Sequence, residues 1–401
     1  MKSCDNLPAV DETAISILSI GIIFLVGLIA DVLGRRTGIP RVTLLLVFGI
    51  AIGPVGVDLI PTVTHATVEL VSIITLSFVA FLLGGNFRLE ALRSIGADVL
   101  VVSFAIASST AIVVFVAVYT ISMSVPLAMI LAAIAIATDP IAIHDVLGNG
   151  NGGDSFTARI QGIVVIDDAW ALIAFSLVLA TGGMSGFGFG SDVIMYLVRE
   201  IGGAIALGTI LGLPMAMLTG RIEPGEPTLV EAAGFVMLCA GLAIYLDVSM
   251  LLASMTMGVV TTNLAHHHSR PFQAVAGIEW PLLVAFFILT GATLRLGELR
   301  HVILLTAIYS VFRVFGRVVG GWLGATARRR PPAEGQWTGL ALLPQAGVAL
   351  GVALVGAQKY PQVSDVLLPA MVGATILFEL IGPATTRFAA EKVGRGETDS
   401  L

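Results

Sequence analysis

Charged residues are scarce in this chain. Asp, Glu, Lys and Arg make up 12% of its 401 residues, about half the share in a soluble domain, while 56% of the residues are hydrophobic. The polar stretches between the apolar runs are too short to fold as a soluble domain. The composition therefore predicts an all-α protein that spans a membrane many times and contacts lipid, and no nucleic-acid partner is expected.

Cysteine is scarce as well. Cys4 precedes the first apolar run and Cys239 lies inside a later one, so no disulfide is expected. The run His266–His268 has no other potential metal ligands clustered with it in the sequence and is interpreted as a loop. No nucleophile stands beside a general base. These absences disfavour an enzyme, and they give no sign of a cofactor.

Long apolar runs recur from end to end, and thirteen of them are predicted to cross a bilayer core about 30 Å thick. They divide into six, one and six, which predicts two six-helix repeats of inverted orientation. The predicted spans are residues 13–34, 39–59, 67–85, 97–122, 125–148, 155–181, 190–219, 229–247, 250–264, 276–294, 299–326, 335–357 and 363–390.

Basic residues are distributed unevenly between the loops. If the N-terminus lies outside, 14 of the 21 Lys and Arg residues fall on the inner side, 4 on the outer side and 3 within spans. An excess of Lys and Arg is typical of cytoplasmic loops. We therefore expect an integral membrane protein whose N-terminus is outside and whose C-terminus is in the cytoplasm.

Two adjacent aspartates, Asp167 and Asp168, lie near the middle of the sixth span. A charged side chain at the bilayer centre costs at least about 2.5–3.5 kcal/mol, so such residues usually face a cavity and carry an ion or a proton. Successive helical residues point about 100° apart. We expect Asp168 to face the aqueous path and hold a cation, and Asp167 to turn toward a basic neighbour or the broken helices. For Asp167, a direct part in Na⁺ binding and transport and a structural ion pair both stay open.

Helix breakers interrupt the fifth and twelfth spans, which occupy equivalent places in the two halves. Interrupted spans at matching positions of inverted halves are the best sequence indication of a transporter's binding site, because freed carbonyls and half-helix ends can hold ions. Thr138 and Asp139 are candidates for ion binding, and they could support the crossing by hydrogen bonds and by neutralising positive half-helix ends. The alternatives are a helix cap at Asp139 and a simple kink at Pro344. The interrupting residues are Thr138, Asp139 and Pro140 in the fifth span and Leu343, Pro344, Gln345, Ala346 and Gly347 in the twelfth.

Two arginines, Arg313 and Arg317, share one helix face in the eleventh span, at about the depth of the aspartates. Arginine stays protonated in proteins, so neither is expected to carry the transported proton. We expect at least one of them to compensate the aspartates when no cation is bound. The alternative is that Arg317 extends toward the inner surface without a role. Glu379, in the thirteenth span, is a candidate counter-charge for an arginine.

At these residues the chain resembles the monovalent cation:proton antiporter superfamily, and more closely the bacterial sodium/proton antiporters with a paired-aspartate motif. The resemblance extends over essentially the whole membrane portion, and the order and spacing of its segments make it specific. The segments are GIPRVTLLLVFGIAIGP (38–54), FLLGGNFRLEALR (81–93), ATDPIAIHDVL (137–147), VVIDDAWAL (164–172), FRVFGRVVGGWLGA (312–325), LALLPQAGVALG (340–351) and TILFELIGPATTR (375–387).

The resemblance implies secondary antiport of Na⁺, or of Li⁺ or K⁺, against H⁺ in a bacterial inner membrane. It implies crossed half-helices in spans 5 and 12, with Asp168 as the essential residue of the Na⁺ site and Asp167 as its neighbour. Arg317 stands where paired-aspartate relatives often have lysine, and Gln345 where many have a charged residue. The Thr138–Pro140 break is more similar to electroneutral exchangers. The stoichiometry therefore stays open. The two adjacent aspartates, Asp167 and Asp168, give a slight preference for electrogenic exchange.

The resemblance also implies that the spans divide into moving and fixed parts. Residues 97–181 and 299–390 would form a mobile ion-binding core. Residues 13–96 and 229–298 would form a scaffold that associates into a homodimer, and residues 190–219 would be a linker helix between the two parts.

Two other functions are compatible with such a fold. A sodium-coupled symporter of an organic anion would need a roomier polar or aromatic cavity, and few polar residues other than the charges flank the breaks. A ligand-gated potassium efflux protein usually carries a cytosolic nucleotide-binding domain, and the segment after Arg387 is too short for one. Cation:proton antiport is the leading interpretation.

Overall fold

The computed structural model describes residues 12–37, 39–54, 56–60, 65–89, 96–148, 155–181, 195, 198–218, 228–265, 269–293, 299–345 and 347–398. Within these residues the chain forms fifteen α-helices, a π-helical turn at Val198–Gly202 and no β-strand. The helices are α1 (Glu12–Thr37), α2 (Arg41–Ile52), α3 (His65–Gly85), α4 (Ala97–Ser122), α5 (Val125–Ile136), α6 (Pro140–Leu147), α7 (Ser155–Thr181), α8 (Gly203–Leu218), α9 (Thr228–Tyr245), α10 (Met250–Leu264), α11 (Ser269–Ala292), α12 (Leu299–Ala327), α13 (Pro332–Ala341), α14 (Gly347–Lys359) and α15 (Pro361–Thr398).

The predicted all-α membrane fold is confirmed, and helix is found in each of the thirteen predicted spans. Nine helices among the described residues are long and apolar enough to cross a membrane, and α2, α5, α10 and α14 are shorter apolar helices. Larger differences from the predicted boundaries are found at α2, α11 and α15. Helix α2 ends before Gly53 and Pro54, and α11 begins seven residues early because its polar first turns are helical. Helix α15 continues eight residues further, through a polar segment.

Spans 5 and 12 are each divided into two helices. In span 5 the non-helical residues 137–139 separate α5 from α6, and in span 12 the non-helical residues 342–345 follow α13 and precede α14. Pro140 begins α6, as suits a residue whose missing N–H is not needed in a first turn. The two interruptions predicted from the sequence are therefore true breaks rather than kinks.

Helix α7, which carries the aspartate doublet, is the most buried of the nine long helices. In its most apolar stretch 72% of the residues are buried, against 28–50% in the other eight. It packs against α4, α5, α6, α10, α14 and α15. Both breaks thus pack around the helix that carries the two carboxylates.

Glycines allow two equivalent helix crossings, one in each of the two compact units of the chain. The units comprise Met1–Thr75 with Trp280–Gly297, and Leu76–Glu279 with Glu298–Leu401. In the first unit α2 crosses α11, and a Cβ added to Gly49 would lie 3.0 Å from the Cα of Gly291. In the second unit α3 crosses α10, and a Cβ added to Gly84 would lie 3.0 Å from the Cα of Gly258.

These crossings follow the inverted repeat. Helix α2 in the first repeat corresponds to α10 in the second, and α3 corresponds to α11. The crossing of α2 with α11 is therefore the counterpart, in the inverted repeat, of the crossing of α10 with α3. Small residues allow such close backbone approach in membrane proteins, where association depends on packing rather than on exclusion of water.

We predict that Gly258→Ala destabilises the protein, because the new Cβ would overlap the Phe81 carbonyl oxygen. Overpacking of this kind costs about 1–3 kcal/mol. Gly21→Ala is the matched control, since nothing lies within 4 Å of that position and alanine in a helix is favoured over glycine by about 0.5–1 kcal/mol. Thermal unfolding of the solubilised protein should show opposite signs for the two variants. Equal melting temperatures would contradict the close approach.

Candidate functional site

The two breaks cross each other beside α7. The backbone N–H of Asp139 donates to the carbonyl oxygen of Pro344 at 2.9 Å, so the extended residues of one break hydrogen-bond those of the other. Gly382 on α15 makes room for this contact, because a Cβ there would lie 2.7 Å from the Pro344 Cα. The helical ends on either side of the breaks therefore meet within one small volume.

The carbonyl end of α5 is fully occupied by side-chain donors. A helix leaves its last four carbonyls without intrahelical partners, and inside a membrane such groups must be satisfied by protein. Two arginines and one glutamine donate to all four from residue 134 to residue 137. The donors are Gln345 to Ile134 (2.9 Å), Arg313 Nε to Ala135 (3.1 Å), Arg317 to Ile136, and Arg313 Nη2 to Ala137 (2.8 Å).

Arg313 joins the two breaks through one guanidinium group. Besides its bonds to the end of α5, its Nη1 donates to the Leu343 carbonyl oxygen at 2.8 Å. The group is fully buried and stacks on the Phe378 ring, 4.4 Å from the ring centroid. Tyr309, one turn before Arg313, hydrogen-bonds Gln345. The three residues at 309, 313 and 317 therefore form one helix stripe that holds the crossing together.

Asp167 is completely buried, and both of its carboxylate oxygens have donors. Its Oδ1 accepts from the Ser103 hydroxyl at 3.0 Å, and its Oδ2 accepts from the Thr138 hydroxyl at 2.9 Å and from Arg317 Nη1 at 3.0 Å. The indole N–H of Trp170 in turn donates to the Ser103 hydroxyl at 3.1 Å. Asp167 is thus a fixed anion that ties α7 to α4, α12 and the first break.

Asp168 is in the opposite situation. It is 1% exposed, and neither carboxylate oxygen has a hydrogen-bond partner among the described residues. Its neighbours are the carboxylates of Asp167 and Asp139, the guanidinium group of Arg317 and the backbone N–H of Thr138, which approaches Asp168 without completing a hydrogen bond of ordinary geometry. Two carboxylates on successive helical positions therefore divide into one that is fully paired and one that is left open.

The structure brings most of the predicted site residues together. Thr138, Asp139, Pro344, Gln345 and the two arginines lie at the crossing, and Pro140 and Gly347 begin the half-helices that leave it. Glu379 is buried on α15, next to the Phe378 that stacks on Arg313. The run His266–His268 lies outside the described residues, and those residues contain no group of three or more His, Cys, Asp or Glu that could hold a metal ion.

Sequence reasoning missed Ser103, Trp170 and Tyr309. Tyr309 has a sequence signal, because it precedes Arg313 by four residues on the same helix face as Arg317. Ser103 has none, since its contact with Asp167 spans 64 positions in the chain.

Comparison with known proteins places the chain among cation transporters. The family described as "Sodium/hydrogen exchanger, transmembrane" matches residues 20–392. The chain is 25% identical over 381 residues to the ammonium/H(+) antiporter subunit AmhT of Alkalihalophilus pseudofirmus, covering 94% of this chain and 96% of that protein. It is 26% identical over 272 residues to the Na(+)/H(+) antiporter ApNhaP of Aphanothece halophytica, covering 65% of this chain and 50% of that protein.

A solved structure has the same fold. The sodium proton antiporter MjNhaP1 from Methanocaldococcus jannaschii, determined at pH 8, superimposes with a TM-score of 0.77. The superposition covers 95% of this chain and 99% of that one, at 18% sequence identity. This similarity concerns the fold alone, and it supports the inverted-repeat architecture with broken helices.

We predict that Arg317→Ala destabilises the protein more than Asp167→Asn does. Breaking a buried ion pair from one side costs about 3–5 kcal/mol, and loss of Arg317 also removes a donor from the end of α5. The asparagine variant keeps a side chain that can accept from Ser103 and leaves Arg317 its carbonyl acceptors. Thermal unfolding measures both variants, with Arg387→Ala, at an exposed pair with Glu391, as the control. Equal losses for the two site variants would contradict this account.

Proposed function

Because the chain belongs to the transmembrane sodium/hydrogen exchanger family, we propose that it exchanges a monovalent cation, in the first place Na⁺, for H⁺ by alternating access. The relatives named for Na⁺/H⁺ and ammonium/H⁺ antiport support this class of transport. Neither organic-anion symport nor potassium efflux is favoured by any of these similarities.

The observation that carries the proposal is the open carboxylate of Asp168. A buried carboxylate with no donor is unstable unless it takes up a proton or a cation. It cannot hold both at once, so binding of one requires release of the other. Competition for a single carboxylate is sufficient to couple the two fluxes, and it needs no resident cofactor.

The arginines narrow the choice of cation ligands. Because side chains already occupy the carbonyls at the end of α5, these oxygens are not expected to bind the cation. Thr138 and Asp139 are neighbours of Asp168 that carry oxygens able to bind a cation. We propose that Asp168 binds the cation directly and that Thr138 and Asp139 support it, while Asp167 and the arginines keep the crossing in shape.

The surrounding architecture completes the proposal. Residues 97–181 and 299–390 would move as the ion-binding core against a scaffold of residues 13–96 and 229–298, with residues 190–219 as the linker. The scaffold would form a homodimer. The distribution of Lys and Arg supports an N-terminus outside and a C-terminus in the cytoplasm, in a bacterial inner membrane.

We predict that Asp168→Asn abolishes exchange without unfolding the protein, because an amide neither protonates nor gives the cation a charged ligand. Proteoliposomes with a trapped pH dye measure the response to Na⁺, Li⁺, K⁺ and NH₄⁺ gradients in turn. Asp365→Asn, at an exposed position of α15, is the matched control and should exchange normally. Near-normal exchange by the Asp168 variant would refute its assignment.

We further predict that the exchange moves no net charge. The doublet alone favours electrogenic exchange, but Asp167 is held by three donors, one of them Arg317, which leaves Asp168 as the single exchanging group. One proton then exchanges for one cation. The measurement imposes a membrane potential with K⁺ and valinomycin on vesicles at Na⁺ and H⁺ equilibrium. Proton movement driven by the potential, in vesicles that also respond to a Na⁺ gradient, would show that a second proton takes part.

A further inference from the structure

The turn between α9 and α10, residues 246–249, contacts two helices of the proposed ion-binding core. Asp247 forms an ion pair with Lys359 at the end of α14, with 3.6 Å between Oδ1 and Nζ. The hydroxyls of Ser249 and Ser176 are hydrogen-bonded at 2.9 Å, and Ser176 lies near the end of α7. One turn of the proposed scaffold therefore holds the two core helices at the end of the bundle where both of them terminate.

The helix ends that carry the two core partners are joined by a hydrogen bond. Tyr360 follows Lys359 directly and is buried, and its hydroxyl donates to the Val178 carbonyl oxygen of α7 at 3.1 Å. This bond fixes the end of α14 to the end of α7. Ser176 lies eight residues, about two turns, beyond Asp168 on the same helix. Any displacement of the cation site across the membrane must therefore displace both partners of the turn.

The turn also has hydrogen bonds of its own. Asp247 adopts the left-handed backbone conformation, with φ of 54°, and the Val248 N–H donates to the Ala243 carbonyl oxygen at 2.9 Å. Ser249 is the N-cap of α10, and its side chain accepts from the Leu252 N–H. These hydrogen bonds lie within residues 243–252 and do not involve the core, so opening the contacts to the core would leave them intact.

A third element approaches the same ion pair. The π-helical turn before α8 carries Glu200, which is 5% exposed and lies within electrostatic range of Asp247, Lys359 and Arg199. Arg199 donates to the Leu246 carbonyl oxygen at 3.3 Å. Single π-turns in helices are frequent at functional sites. Lys359 of the core thus faces one carboxylate of the scaffold and one of the proposed linker.

The surface next to these contacts is suited to sliding. A narrow cleft between the same helices is lined by apolar side chains, among them Leu76 and Leu83 of α3, Leu172 of α7, Leu251 of α10, and Val348 and Val352 of α14. Leu172 lies one turn before Ser176, and Leu251 lies two residues after Ser249. Apolar surfaces can shift past each other without exchanging directional bonds. Among the described residues, the 246–249 turn makes directional contacts across this boundary.

We propose that the 246–249 turn is a latch, closed in this structure, that fastens the ion-binding core to the scaffold and must open in every transport cycle. The proposal rests on the proposed function, since it requires a core that moves. It assigns Asp247, Ser249, Lys359 and Ser176 a role in the conformational step rather than in cation binding.

A reversible cross-link tests the latch directly. The variant Ser176→Cys with Ser249→Cys, in a Cys4→Ser and Cys239→Ala background, places two thiols where the hydroxyls are 2.9 Å apart, which suits a disulfide. Oxidation should form the bond and stop exchange in proteoliposomes, and a reductant should restore it. The single-cysteine variants should exchange under both conditions. Failure of the bond to form, or undiminished exchange by the oxidised protein, would overturn the proposal.

The ion pair between Asp247 and Lys359 is tested in a variant whose single cysteine is introduced by Ser249→Cys. The measurement is the rate at which this thiol reacts with a small water-soluble thiol reagent. That position is 5% exposed while the latch is closed, so the rate reports how often it opens. Adding Lys359→Gln should raise the rate about 1.5- to 5-fold, the range that an exposed ion pair supports. The exchange Asp247→Lys with Lys359→Asp should return the rate toward that of the parent. Arg387→Gln, at an exposed pair elsewhere, should leave it unchanged.

The two proposals fail in different ways. Absence of cation-driven proton movement in the parent protein would overturn the proposed function, whereas the cysteine reaction rate needs no transport. An unchanged rate in the Lys359→Gln variant, beside a parent that exchanges normally, would overturn the latch and leave the antiport intact.

Discussion

The fold depends on two guanidinium groups buried between broken helices. Interrupting a helix inside a membrane exposes carbonyls that lipid cannot satisfy, and Arg313 and Arg317 supply donors at the interruption. A buried cation is in turn unstable without acceptors or a counter-charge, and the carbonyls and Asp167 provide these. The arginines therefore stabilise the broken helices, and the broken helices together with Asp167 stabilise the buried arginines. Neither the breaks nor the arginines would be stable alone.

This arrangement gives the two adjacent aspartates different surroundings. Asp167 is oriented by Ser103, Thr138 and Arg317, which makes it part of the framework. Asp168, about 100° further around the helix, is left without a donor among the described residues. A helix is well suited to this division, because neighbouring residues differ in direction but keep the same depth.

The sequence alone predicted the elements more reliably than the contacts. Helices α4 and α7 match their predicted bounds, because glycine, proline and polar clusters mark their ends, and the two breaks followed from Pro140 and Pro344 at equivalent places. The early start of α11 was missed because polar residues near a membrane surface can still be helical. Which carbonyls Arg313 would bind, and that Ser103 would reach Asp167, depend on how helices distant in sequence pack, and no local pattern encodes that.

The solitary position of Asp168 also bears on leakage. In the proposed cycle, Asp168 would carry an uncompensated negative charge once proton and cation have both left, and moving this charge through the apolar cleft would cost several kcal/mol. Each 1.4 kcal/mol slows such a slip about tenfold. If Asp168 had an arginine of its own, the empty core would be neutral and could return unloaded, dissipating the gradient. The missing partner is thus what would keep the protein from running as a uniporter.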